Sequence, residues 1–527
     1  MIKKGLFLVL FPTLLFSQPA ARVENSSRLA SEEKDTTAIR YSKIITAADL
    51  KGHLSIIASD SYEGRETGKK GQKMAADYIQ SHFKSFGIPP YKDSSYYQVY
   101  PLNMIMPVPA SLTINDKKYT GNKDYYNFPG INEQKIISQE VVFLGYGIDD
   151  GNYSDYKGTD VKDRVLMILA GEPYSKEGNS LITGKKEASL WSSYYKVKLE
   201  KARESGVQAL LVVLDDITKG LEDNKHKLES PSLKLDLLRQ EMPIIYISRE
   251  MADEILKKQT VKKLSEKISK SGKPLRKKVK TTLVIDIKNT VQKIEAENVL
   301  GYLEGSDLKD ELIVITAHYD HLGIEGAVVF NGADDDGSGT VAVMQLAQAF
   351  AQAKKEGHGP RRSMLFMAVS GEEKGLLGSA YYSEHPVFPL KNTVCDLNID
   401  MIGRLDEKHQ KNPDYIYLIG SDKLSSELHK ISEKANKTYT QLDLDYTYND
   451  EKDKNRYYYR SDHYNFAKKG VPVIFYFNGV HADYHKETDE VEKINFEKME
   501  KITRLVFFTA WELSNRNERI AVDSKKK

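Results

Sequence analysis

The chain has 527 residues, too long for one ordinary hydrophobic core, so two domains or one domain with a large insertion are expected. Hydrophobic residues make up 40% and charged residues 29%, a globular composition that excludes a disordered or fibrous chain. Its 77 basic and 75 acidic residues leave a formal net charge of +2, so no polyanion such as nucleic acid is indicated as a partner.

The chain opens Met1-Ile2-Lys3-Lys4, followed by an apolar run over 5–16 and then Ser17-Gln18-Pro19-Ala20-Ala21. A basic start, a short apolar stretch and small residues after it describe a secretory signal peptide over 1–21. The run falls short of the ~20 residues of a membrane span. No cysteine follows it to carry a lipid anchor, so an exported, periplasmic or secreted protein without membrane insertion after cleavage is expected. Cys395 is the only cysteine, which excludes an internal disulfide, and its apolar surroundings read as core.

Residues 22–44 are polar and lack periodicity, as in a mobile leader. Residues 45–134 begin the main domain with two helices. The second, over 71–86, places Met74, Tyr78, Ile79, Phe83 and Phe86 on one face. Between them the glycine-punctuated, charged stretch 62–68 predicts a loop. Residues 135–285 form a separate block with strands near 141–144, 165–170, 209–214 and 244–247 and a helix over 190–205. This block contains no plausible ligand cluster and reads as an inserted, non-catalytic α/β domain. Its lysine-rich end, 257–280, lacks the interleaved aromatics of a nucleic-acid surface and reads as a solvated helix face.

From 286 to 516 short, nearly continuous apolar runs at 312–316, 364–369, 394–399 and 471–477 alternate with helical periodicity over 339–353 and 424–435. Runs of this kind are strands buried on both faces, and the alternation predicts a doubly wound, mostly parallel or mixed α/β sheet with helices on both faces. A basic tail, 517–527, ends the chain.

Five clusters lie at or just past the ends of those strands: Ala317-His318-Tyr319-Asp320, Gly332-Ala333-Asp334-Asp335-Asp336-Gly337, Gly371-Glu372-Glu373, Asn398-Ile399-Asp400-Met401-Ile402-Gly403 and Asp483-Tyr484-His485. Each has a plain structural explanation alone: a loop histidine, an acidic turn, a negatively charged first helical turn. Together they gather two imidazoles and several carboxylates where ligands bind in open α/β sheets. Three consecutive acids repel unless a cation compensates, and one carboxylate can bridge two metals ~3.5–4 Å apart. Of the adjacent Glu372 and Glu373, one could ligate while the other stays free as a base. Asp320, two residues after His318, could accept the other ring N–H and fix its tautomer.

As a set these motifs resemble the M28 family of co-catalytic zinc metallopeptidases. The likeness extends to Arg460-Ser461-Asp462-His463, Gly470-Val471-Pro472 and the segment from Gly64-Arg65 to Ala76-Asp77-Tyr78. The inserted block resembles a protease-associated (PA) domain. The resemblance implies two Zn²⁺, with Co²⁺ or Mn²⁺ as possible substitutes. His318 and Asp400 would bind one zinc, Glu373 and His485 the other, and Asp335 would bridge them. Glu372 would be the general base, Asp320 would orient His318, and Tyr484 would stabilise the oxyanion. The peptide bond after the bridging aspartate would be cis. The implied function is an aminopeptidase acting on peptides. A carboxypeptidase or dipeptidase of the same family is the alternative, with Arg404, Arg456 or Arg460 holding a substrate carboxylate. Glutaminyl cyclase chemistry and a non-catalytic binding protein are further alternatives. Oligomeric state and side-chain preference are not legible, and the tyrosine-rich stretch 439–459 reads equally as pocket wall or surface loop.

Overall fold

The computed structural model describes residues 34–91, 95–235 and 241–523; the segment read as a signal peptide and the last residues of the tail lie outside these. Two large sheets organise the chain. The first has nine strands, in the order Ser232–Leu235, Tyr97–Ile105, Val291–Leu303, Arg362–Val369, Leu308–His318, Thr393–Ile399, Val473–Phe477, Tyr415–Ile419 and Asp443–Asp445. Its four central strands, Arg362–Val369 to Val473–Phe477, run parallel, whereas the strands flanking them pair antiparallel. The expected doubly wound α/β sheet is therefore present, mixed overall and parallel at its centre.

Why the central strands carry continuous apolar runs follows from their two covered faces. Successive side chains alternate across a strand. Met364, Phe366 and Ala368 thus point to one core, shared with the helices Gly339–Lys355 and Phe496–Asn515. Leu365, Met367 and Val369 point to the other, covered by Tyr382 of Leu377–Glu384 and Phe466 of His463–Ala467. Cys395 is buried in the first core as a free thiol.

The second sheet has eight strands, with Gln134–Leu144, Val165–Leu169, Ala209–Val213 and Ile244–Ile247 parallel at its centre. It also takes in Ser111–Ile114, Lys117–Tyr119 and Tyr125–Tyr126. The block therefore begins near residue 110, not 135. These strands are two to four residues long, and the hairpin turn between the first two at Asn115-Asp116 is made in left-handed conformation (φ 47° and 66°), so no periodic signal marked them. Conversely, Ser232–Leu235 leaves the block and pairs with Tyr97–Ile105 of the first sheet. The expected helix over 190–205 is broken at Tyr194 (ψ 78°) into Leu190–Ser193 and Lys196–Glu204.

The segment read as a leader ends in a helix, Thr36–Ser42, capped by the Asp35 carboxylate, which accepts from the amides of Thr37 and Ala38. Seven residues cannot hold a helix unaided; burial of Ala38 and Tyr41 against the main core, with Tyr41 stacked on Trp511, supplies the stabilisation. The lysine-rich stretch contains the helix Val261–Ser271, which buries Val261, Leu264 and Ile268 and ends at Gly272 with φ 65°. That is the solvated helix face expected. Among the described residues no helix is long and apolar enough to cross a membrane.

Phe350 is fully buried among Phe366, Phe507 and Trp511, where helix meets sheet. Phe350→Ala is expected to lower the unfolding free energy by about 3–5 kcal/mol, measured by denaturant titration.

Candidate metal centre

The carboxyl ends of the parallel strands converge on one point. His318 is the last residue of Leu308–His318, Glu372 and Glu373 follow Arg362–Val369 by three and four residues, and Asp400 directly follows Thr393–Ile399. Asp335 lies in the turn leading into the helix Gly339–Lys355, and His485 comes from the loop after Val473–Phe477. His318 Nε2 lies 3.3 Å from Asp335 Oδ1 and 3.8 Å from Asp400 Oδ1. His485 Nε2 lies 3.1 Å from Asp335 Oδ2 and 3.2 Å from Glu373 Oε2. All five residues expected to ligate are thus brought together, with Asp335 offering one oxygen to each histidine.

Two groups of donor atoms, each within 4.8 Å, could hold a metal ion: His318, Asp335 and Asp400, and His321, Asp335 and Glu373. His321 was not singled out by sequence reasoning. The signal available was a second imidazole three residues after His318, in the same turn past a strand.

The three consecutive aspartates differ by their partners. Asp336 accepts from the amides of His318, Gly339 and Met401, stitching three segments of the site together. Asp334 accepts from the amide of Gly403 and from Asn478, with His481 Nε2 3.2 Å away. Asp335 receives no such backbone bonds, which leaves its carboxylate for ligands. Asp489 accepts from the amides of Asp334 and Asp335, fixing the turn, and the Asp335–Asp336 peptide bond is cis.

His318 Nδ1 is 3.0 Å from the backbone carbonyl of Asp320 but 3.8 Å from its carboxylate. Orientation of the ring through the Asp320 side chain is therefore corrected to orientation through its main chain. The Asp320 carboxylate is otherwise engaged, accepting from the Thr67 hydroxyl at 2.7 Å and the Glu372 amide at 3.2 Å. Its role is to anchor the glutamate pair. Asp400 is steadied by the Ser461 hydroxyl, which donates to Oδ2 at 2.6 Å.

Glu372 and Glu373 are neighbours driven in opposite directions. Burial pushes the Glu372 carboxyl well above the usual carboxylate range, and Glu373 and Asp400 add to the effect against the opposing His318. Burial and Asp335 act the same way on Glu373, but the imidazoles of His321 and His485 outweigh them and hold it at about 2. Adjacent carboxyls separated in this way mark an acid–base group beside a permanently charged one.

Glu372 lines a pocket that also meets His318, Asp335 and Asp400. Its apolar wall is Met401, Tyr457, Phe475, Phe477 and Val480, closed by Tyr484 and Arg460. Tyr484 stacks on His485 with centroids 3.9 Å apart. Of the tyrosine-rich stretch, Tyr457 forms pocket wall, whereas Tyr459 is exposed. The three arginines separate: Arg404 is paired with Asp483 at 2.7 Å, Arg456 lies over the rings of Tyr194 and Tyr459, and Arg460 lines the pocket.

Arg65 holds the centre from the amino-terminal part of the chain. Its fully buried guanidinium donates to the carbonyls of Tyr319 (2.8 Å), Ile57 (2.9 Å), Asn331 (2.6 Å) and Gly332 (2.9 Å). It thereby ties the His318 turn to the Asp335 turn. The preceding Gly64 has φ 60°, and a Cβ there would lie 2.4 Å from the Phe330 carbonyl oxygen, so only glycine fits.

With this geometry described, comparison with known proteins is decisive for the family. Residues 298–510 match the model of peptidase family M28. This part of the chain belongs to family M28. A probable zinc metalloprotease of Pyrenophora teres f. teres is 27% identical over 286 residues, covering 44% of this chain and 56% of that protein. Aminopeptidase YwaD of Bacillus subtilis is 26% identical over 226 residues, covering 41% of this chain and 44% of that protein. The chain thus spans about half the length of the curated relatives it matches. Among solved structures, an aminopeptidase from Aneurinibacillus sp. strain AM-1 shares the fold, with a TM-score of 0.53 at 18% identity over 93% of this chain and 98% of that one. The M28 segment begins after Arg65 and Thr67, so the residues that clamp its centre lie outside it.

Arg65→Met would leave the buried carbonyls of Tyr319, Ile57 and Asn331 unpaired, each costing about 1–3 kcal/mol, while that of Gly332 keeps the Gly337 amide. The variant is expected to unfold at markedly lower denaturant concentration and, while folded, to retain bound metal less well on dialysis.

Proposed function

We propose that this chain is an exported dizinc aminopeptidase that releases N-terminal residues from peptides. The observation that carries the reading is the pocket itself, which is lined both by the carboxylates of Asp335, Glu372 and Asp400 with the His318 imidazole and by apolar side chains. Mixed imidazole and carboxylate donors suit catalytic zinc, with Co²⁺ or Mn²⁺ as substitutes. In this reading His318 and Asp400 would hold one zinc and Glu373 and His485 the other, with Asp335 offering an oxygen to each. Bound there, the pair of ions would polarise the scissile carbonyl and acidify the attacking water.

The chain's own groups do the rest. Glu372, made more basic by burial, takes a proton from the water and passes it to the leaving amine. The Tyr484 hydroxyl, at the pocket mouth beside His485, donates to the developing oxyanion. Asp320 holds the Glu372 amide in place. The free α-amine of a peptide would bind near the metal pair, while the apolar side chains of the pocket accept the first side chain.

The block around the second sheet is proposed as a PA-like domain that restricts access. Its Tyr194 reaches Arg456, four residues from the pocket-lining Arg460. Arg460 also supports a second reading, a carboxypeptidase or dipeptidase that holds a substrate carboxylate. Export rests on residues 1–21 and is tested by the N-terminal sequence of protein recovered outside the cytoplasm.

The activity test uses Leu-p-nitroanilide and its N-acetyl counterpart, with chelator and then restored zinc. Cleavage of the free-amine substrate alone, lost with chelator and recovered with zinc, is expected. Cleavage of N-blocked peptides with a free carboxylate would instead favour the second reading. Glu372→Ala is expected to keep both metals while turnover falls by about 10²–10⁴-fold, and unchanged turnover would exclude the mechanism.

A further inference from the structure

His321 has no role in the reading above, yet its setting is that of a ligand. Its side chain is fully buried, and neither ring nitrogen has a hydrogen-bond partner in the protein. Nδ1 lies 3.0 Å from Glu373 Oε1 and 3.9 Å from Asp335 Oδ2. All three atoms are buried without an aligned hydrogen bond. A ring N–H and a carboxylate oxygen at that separation would normally align and bond. Three donors from three residues that face one another without bonding are instead aimed at a common point. Leaving such groups unsatisfied in the interior is costly, more so for charged groups, and a cation removes the cost.

The local chain is shaped to place this ring. The His321 amide donates to the carbonyl of Arg65 at 3.3 Å, continuing the clamp that orders the His318 turn. The ring packs against Gly332, where a Cβ would lie 2.4 Å from His321 Cγ, so the glycine makes room for the imidazole. His485, by contrast, comes from a loop and is 37% exposed, with its ring centroid 6.0 Å from that of His321. Glu373 is flanked on both oxygens, by His321 Nδ1 on Oε1 and His485 Nε2 on Oε2.

We propose that His321 is a direct ligand of the second metal, completing a set of Asp335, Glu373, His321 and His485. The inference rests on the dizinc reading and deepens it by making the two positions unequal. The position of His318, Asp335 and Asp400 has three protein donors, as open catalytic sites do, whereas the second has four, as closed sites do. The second metal is then the more tightly held, and exchange or loss during purification falls first on the His318 position.

Zinc titration of the full mature chain, stripped of metal and read with a competing chromophoric chelator, tests this. Cobalt(II) absorption spectra report the coordination of each equivalent. The unsubstituted protein should bind two zinc ions. His321→Ala should bind one as before and the other more than about 100-fold more weakly, beyond the range of an outer hydrogen-bonding partner. His485→Ala should weaken the same equivalent, and the cobalt band of that equivalent should change in both variants. Two zinc ions bound by His321→Ala with unchanged affinity would overturn the assignment. Weakened binding with an unchanged cobalt band would also overturn it, reducing His321 to a positioning residue. Should His321→Ala fail to fold by near-ultraviolet circular dichroism, His321→Gln is read by the same criteria. Failure of the unsubstituted protein to bind two metals would instead remove the dizinc reading beneath the inference.

Discussion

The structure turns on the gathering of many buried or half-buried carboxylates at one point of the fold. Asp334, Asp335, Asp336, Glu372, Glu373, Asp400 and Asp489 crowd the carboxyl ends of four parallel strands. Burying a carboxylate without a partner is costly, and placing several together multiplies the cost through like-charge repulsion. The fold answers by dividing them into two kinds. Asp334, Asp336 and Asp489 are filled with backbone amides and become the joints of the site. Asp335, Glu373 and Asp400 keep oxygens turned toward the imidazoles of His318, His321 and His485.

Around that centre the rest of the chain acts as a brace. The double-sided core of the nine-stranded sheet fixes the strand ends, and the helix Gly339–Lys355 begins where Asp336 accepts the Gly339 amide. Arg65, more than 200 positions earlier in the chain than either turn, is buried against carbonyls of both the His318 turn and the Asp335 turn. A preorganised site of this kind keeps its donors aimed with little rearrangement on loading, which is the condition for fast chemistry at a fixed geometry. The block built on the second sheet stands beside the pocket through Tyr194 and Arg456.

Much of this was legible because strand ends are where chemistry is placed in such sheets. His318, Glu372, Glu373 and Asp400 lie at or within a few residues of a strand end, and Asp335 and His485 lie in loops between apolar runs, so the pattern of runs points to them. What sequence could not separate was residues of one type side by side. Asp334, Asp335 and Asp336 differ only in which amides reach them, a matter of tertiary folding. His321 was hidden for a related reason: its meaning comes from Glu373, 52 positions away, and from the space left by Gly332. The Asp320 carboxylate was assigned to the ring two residues away, while Thr67 and the Glu372 amide claim it. Short elements were equally silent. The strands Ser111–Ile114 and Lys117–Tyr119 and the helix Thr36–Ser42 depend on packing rather than on a repeat long enough to read.

On the proposed reading these carboxylates are gathered for two metals sharing Asp335. Crystals of the zinc-loaded protein, measured at wavelengths on either side of the zinc absorption edge, locate the ions without reference to activity. Two anomalous peaks about 3.5–4 Å apart are expected, one on each side of the Asp335 carboxylate. A single peak, or peaks that do not share Asp335, would contradict that reading.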